Sequence, residues 1–173
     1  MSDLAAAQQI ARFAAGFRLA DVPEAVRLRA RLHIHDGLGL GIASTVEAYG
    51  KAAVAGATAM GAPGLCSVIG QTARFDLRDA AMVNAVLIHG LDFDDTHLAS
   101  IIHPTCTALP VALSLGEKLG ASGSDLLAAF LAGAETGIRI GLAVDGGFHH
   151  VGYHATGLVS HFASAVTAGR LLG

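Results

Sequence analysis

Nine histidines occur in a chain of 173 residues. His89, His97, His103, His149, His150 and His154 lie in or beside two segments that interrupt an otherwise apolar pattern. The first segment reads His89-Gly90-Leu91-Asp92-Phe93-Asp94-Asp95-Thr96-His97 and runs on to His103-Pro104-Thr105. The second runs from Asp145-Gly146-Gly147 through His149-His150 to His154-Ala155-Thr156. Imidazole takes up or releases a proton near neutrality, so such residues suit general acid and base chemistry. His103 stands before Pro104 and His154 before a helical run, where free backbone N–H groups and the positive end of a helix dipole attract carboxylates. A neutral histidine there could remove a proton next to a substrate carboxylate while a second protonates a leaving hydroxyl or a carbanion. Asp92 could orient one ring and fix its tautomer.

The other polar groups have plainer readings. His33, His35 and His161 fall within helical patterns, where packing or a backbone carbonyl is the expected partner, and His149 and His150 read as loop polar groups. Asp92, Asp94 and Asp95 serve equally well as helix caps or solvated loop residues. Asn84 reads as a buried hydrogen-bond anchor for the loop. A metal site is the competing chemistry: His150 and His154 have i, i+4 spacing, Asp92-x-Asp94-Asp95 could take magnesium, and His35-Asp36 is a dipeptide of metal phosphohydrolases. His35-Asp36 lacks companion ligands, the stretch around His150 is glycine-rich, and no Glu follows either histidine as a base. Each of these metal signals is therefore weak on its own, and metal-dependent hydrolysis stays as the alternative.

Helices must position these groups. Ile10, Phe13, Ala14 and Phe17 recur at helical spacing within residues 4–18. Asp21 with Glu24 predicts a capped second helix, buried after His33. A third helix, 46–60, stops at Gly61-Ala62-Pro63-Gly64, and Leu65 to Ile69 suits one short extended segment. Asp76 caps a fourth helix with the stripe Leu77, Ala80, Ala81, Leu87, Ile88 and Leu91, which contains Asn84. Ser122 with Asp125 caps another, lined by Leu127, Phe130, Leu131, Ala134 and Ile138. The last helix, from about His154 to Leu172, carries small residues that permit close contact. These patterns predict one all-α domain over 1–173, a bundle of six or seven helices.

Composition narrows the partners. Hydrophobic residues make up 53% of the chain and charged residues 14%, which excludes a disordered linker. A net charge of -3 with scattered basic residues argues against nucleic acid. Two unpaired cysteines and a start, Met1-Ser2-Asp3, without an export pattern fit a reduced cytoplasmic protein. Three charge-free stretches, 52–73, 96–116 and 146–169, are interrupted by glycine, proline or histidine, so no membrane span is expected. So much apolar surface on a small domain predicts a cover, from a partner subunit or from further chain.

The runs HGLDFDDTH, HPTCTALPVALSLGEKLG and SGSDLLAAFLAGAETGIR, followed by a histidine opening a small-residue helix that ends AGRLLG, resemble the N-terminal part of the helical domain of the MmgE/PrpD family. Its members include 2-methylcitrate dehydratase, cis-aconitate decarboxylase and iminodisuccinate epimerase. The resemblance implies a homodimeric, cofactor-independent enzyme acting on small polycarboxylates in a cleft between a helical domain and an α/β lid. It places Asp92 and Thr96 in the active-site loop, with Thr96 touching substrate, and makes His103 and His154 the two site histidines. The Thr96 to His103 interval is about one residue longer than in the decarboxylases. The family's lid and its substrate-gripping lysines lie beyond residue 173, and Lys51 and Lys118 do not match them. On this reading the parent protein is a lyase, with dehydration of 2-methylcitrate or a similar acid first and decarboxylation or epimerisation second. These 173 residues alone are then expected to be nearly inactive. A non-catalytic dimerisation module is the remaining alternative.

Overall fold

The computed structural model describes residues 5–173. Eight α-helices carry the fold: α1 (Ala6–Gly16), α2 (Glu24–Ser44), α3 (Ala48–Met60), α4 (Leu77–His89), α5 (Pro104–Leu119), α6 (Gly123–Ala143), α7 (Gly147–His150) and α8 (Ala155–Leu172). Two short strands, β1 (Pro63–Ser67) and β2 (Arg74–Phe75), pair antiparallel between α3 and α4. The all-α expectation holds. The extra helix is the single turn α7 inside the glycine-rich segment.

Helix α5 is the central rod, packed by α4, α6 and α8. Every residue from Pro104 to Pro110 is buried, because neighbours surround this helix instead of covering one face. Ile88, Ala108, Leu109, Ala112 and Phe130 form the middle of the core. A second cluster of Ala57, Val68, Phe75, Ala80, Val83 and Leu87 joins the hairpin to α3 and α4. Ile102, Ala155 and Val159 make a third, smaller cluster beneath the histidine-bearing loops. Helices α6 and α8 cross closely: a Cβ on Gly133 would run into Thr167 Oγ1 and lie 2.8 Å from the Ala163 carbonyl. Glycine is required there by proximity, not by backbone angle.

Caps were the most legible feature. The Asp76 side chain accepts from Arg78 N at 2.6 Å, and Ser122 with Asp125 forms the reciprocal box. Asn84 is 1% exposed, accepts from Ile69 N at 2.9 Å and donates to the Ser67 carbonyl at 3.0 Å. It is thus an anchor, but for the hairpin and not for the histidine loop.

Three expectations need correction. Asp21 does not open α2: it ends a 3-10 turn, Leu19–Asp21, and Pro23 caps the helix, while Glu24 pairs with Arg27 and Arg31. Nor is the second half of α2 buried all round. Gly37, Gly41 and Ser44 face the core, while Ile42 is 60% exposed. The first helix is α1, shorter than residues 4–18, and Ile10, Phe13, Ala14 and Phe17 are its half-buried stripe. Its expected start at Asp3 and Leu4 lies outside the described residues. Among those residues, one helix, α6, is long and apolar enough to cross a membrane. More than half of that window is packed inside the bundle, as befits a core helix.

Candidate active site

Three chain segments meet at one end of the bundle. His89 is the last residue of α4, His103 caps the N-terminus of α5 and His154 caps the N-terminus of α8. The turn out of α4 is tight. Gly90 lies so close to the Tyr49 ring that a Cβ would sit 2.8 Å from its Cδ2, and Asp92 adopts a left-handed φ of 56°. A further turn is closed by the His97 N–H donating to the Ile102 carbonyl at 2.9 Å, with Ile101 also left-handed at φ 54°. This turn takes up the Thr96 to His103 interval, so the two side chains still meet. The His103 N–H donates to Thr156 Oγ1 at 3.1 Å, which ties the start of α5 to the first turn of α8.

The hydrogen bonds give each ring a different proton inventory. His103 Nδ1 faces the Asp94 carbonyl at 3.3 Å, an Asp94 carboxylate oxygen at 3.4 Å and Thr96 Oγ1 at 3.4 Å. Two of these three can only accept, so Nδ1 carries the hydrogen. That leaves His103 Nε2 as the site of proton uptake, 3.5 Å from Asp92 Oδ1. His154 is the reverse: its Nδ1 accepts from Gly157 N at 3.3 Å, which places the hydrogen of the neutral ring on Nε2. His89 Nδ1 lies 3.0 and 3.3 Å from the two Asp94 oxygens. Its ring centroid is 4.8 Å from that of His103 and 5.8 Å from that of His154.

Burial sets the charges behind the rings. The Asp94 side chain is 1% exposed. Burial alone would raise its pKa, but the His89 hydrogen bond and the neighbouring imidazoles outweigh that and hold it below the ordinary carboxylate range. The same hydrogen bond, set against burial, holds His89 above the ordinary imidazole value. Asp95 is pushed up by burial; it accepts from Thr105 N at 3.2 Å and lies 3.8 Å from His33 Nδ1. Burial also pushes the Cys106 thiol far up, so it is no nucleophile.

The geometry thus gathers all four residues expected from the sequence. His103 and His154 flank one further ring, Asp92 touches the reactive nitrogen of His103, and Thr96 bonds the other. Thr96 also donates to the Asp94 carbonyl at 3.4 Å, so its visible contacts support His103 from behind. Sequence reasoning passed over His89 and Asp94. The only available signal was that both lie in the same motif; their pairing depends on a fold-back of the loop that spacing does not reveal. Behind the loop is an apolar cavity of about 540 Å³ lined by Phe13, Phe17, Phe130 and Ile138, with Asp95 and Thr96 at its edge. None of His89, His103 and His154 lines it.

The metal alternatives fare differently. His150 ends α7 and His154 precedes α8, so they share no helix and form no i, i+4 pair on a helical face. His35 and Asp36 are exposed on α2. Potential donor atoms of His89, Asp92, Asp94 and His103 do lie within 4.8 Å of one another. Of the four, Asp94 is hydrogen-bonded to His89, while Asp92 adds only a 3.5 Å approach to His103 Nε2.

The chain is 30% identical over 161 residues to a cis-aconitate decarboxylase-like protein, oryM, of Aspergillus oryzae, covering 88% of this chain and 33% of that protein. It is 29% identical over 171 residues to the cis-aconitate decarboxylase of Aspergillus terreus, covering 95% and 35%. A shorter match, 40% over 100 residues, covers 54% of this chain and 20% of the human cis-aconitate decarboxylase. The chain therefore spans about a third or less of these relatives. The MmgE/PrpD N-terminal domain model matches residues 8–173, and the chain belongs to the MmgE/PrpD family, whose relatives named here are enzymes of the lyase kind.

Proposed function

We propose that the natural full-length protein is a lyase that transfers protons on a small polycarboxylate, with His103 as base and His154 as acid. The carrying observation is the opposite hydrogen-bonding of two rings that both pack against His89: Nδ1 of His103 faces the Asp94 carbonyl, which leaves Nε2 to accept, and Nδ1 of His154 accepts from Gly157 N. Once His103 takes a proton, Asp92 at 3.5 Å and Asp94 at 3.4 Å face the new positive charge, as a carboxylate does behind a catalytic imidazole. Both rings stand at helix N-termini, which favours an anionic substrate at this end of the bundle. Thr96 orients His103 and stands at the substrate's edge. No step in this scheme calls for a metal or organic cofactor.

The named relatives favour an acid of the cis-aconitate kind, and decarboxylation as the outcome. Loss of carbon dioxide leaves an electron pair that the His154 Nε2–H can protonate, the ring then regaining its proton from water while Nδ1 keeps its bond from Gly157 N. Dehydration of a 2-methylcitrate-like acid uses both rings: His103 removes the proton beside the carboxylate and His154 protonates the departing hydroxyl. The two are told apart by incubating the full-length protein with cis-aconitate and with 2-methylcitrate, and following products by proton NMR. The expected result is turnover of one of them that survives a chelator. Turnover of neither, or activity that a chelator abolishes and zinc or magnesium restores, would overturn this reading.

A further inference from the structure

His89 has one nitrogen committed and one unspent. Its Nδ1 points at both oxygens of Asp94 and therefore donates, since a carboxylate only accepts. Asp94 is too deeply buried for water to screen its charge. Among the described residues, no hydrogen bond reaches Nε2 of His89, although its side chain remains 30% exposed. That free nitrogen belongs to a ring packed against both His103 and His154.

We propose that His89 is a third substrate-facing histidine: an imidazolium held by Asp94 that offers its Nε2–H to a carboxylate lying between His103 and His154. The inference rests on the proposed polycarboxylate chemistry of the same site and adds the group that grips the anion from the helical side. Around His89 stand Asp94 and Asp92 from the loop after α4, His103 from the start of α5 and His154 from the start of α8. Two acids thus face this ring, and the nearer one is bonded to it, so the cluster favours the protonated form of His89. A charge-assisted hydrogen bond to a substrate carboxylate then follows from geometry that already exists.

The rival role is a latch that merely closes the end of α4. His89→Gln in the full-length protein separates the two, because glutamine keeps a donor and loses the charge. Substrate contact predicts KM for cis-aconitate or 2-methylcitrate rising about ten-fold or more, with kcat within about three-fold, beyond whatever melting-temperature drop the lost Asp94 ion pair brings. Unchanged KM, or a loss of kcat and melting temperature together at constant KM, would overturn the proposal. Should the variant fail to fold, NMR of histidine-labelled wild type decides: saturating citrate is expected to move the His89 ring signals, and unmoved signals would sink the idea. The two claims fail separately. A protein that turns over no polycarboxylate while citrate still moves His89 loses the lyase reading alone; an active enzyme with unmoved His89 loses this one alone.

Discussion

At the scale of single residues, the Asp94 carboxylate organises two imidazoles at once. It accepts from His89 Nδ1 at 3.0 Å and lies 3.4 Å from His103 Nδ1. The His89 pKa is raised by this bond, so its stabilisation is complete below the unfolded value of about 6.5 and is lost as pH rises through the higher folded value. Asp94 is lowered, so the same bond stabilises above about 3.9 and is lost as pH falls through the lower folded value. Both shifts describe one interaction and count once. The stability gap between wild type and Asp94→Asn is therefore widest between those limits and narrows on either side. Melting curves recorded from acid to alkaline pH would check this; a gap independent of pH would contradict it.

At the scale of elements, helix starts carry the site, and close crossings hold those starts together. Asp76 and Ser122 were recognisable as caps because a short polar side chain before an apolar run has few other uses. Residue types at α5 and α8 were equally legible, since Pro104 and the small residues after His154 mark helix entrances. The Asp21 start failed because the chain first makes a 3-10 turn and Glu24 is taken by arginines, which composition does not show. The α6–α8 crossing at Gly133 underlies the placement of His154. Gly133→Ala should overpack it and cost about 1–3 kcal/mol, lowering the melting temperature. A melting curve superimposable on wild type would mean that the crossing has slack.

At the scale of the whole molecule, the described surface is more apolar than an isolated domain needs. Leu28 and Leu32 on α2 are each 51% exposed, Val46 after it is 68% exposed, and Ile42 is 60% exposed in the half of α2 that sequence reasoning had expected to be buried. Periodicity could locate these side chains on a helix, but not say which neighbour covers them. We propose a homodimer for the full-length protein, with light scattering expected to give twice the chain mass; a monomer at micromolar concentration would refute that. The convergence of His103 and His154 was readable from the family motif, while the His89–Asp94 support behind them needed coordinates.

The most direct test of the proton-transfer site is single-turnover kinetics of His103→Ala and His154→Ala in the full-length protein, using whichever polycarboxylate wild type consumes. Loss of a positioned acid or base predicts a fall of roughly 10²–10⁴ in rate for each variant with the fold retained, His154→Ala also lowering the melting temperature slightly by losing its cap on Gly157 N. Wild-type rates in either variant would contradict the assignment of the two rings.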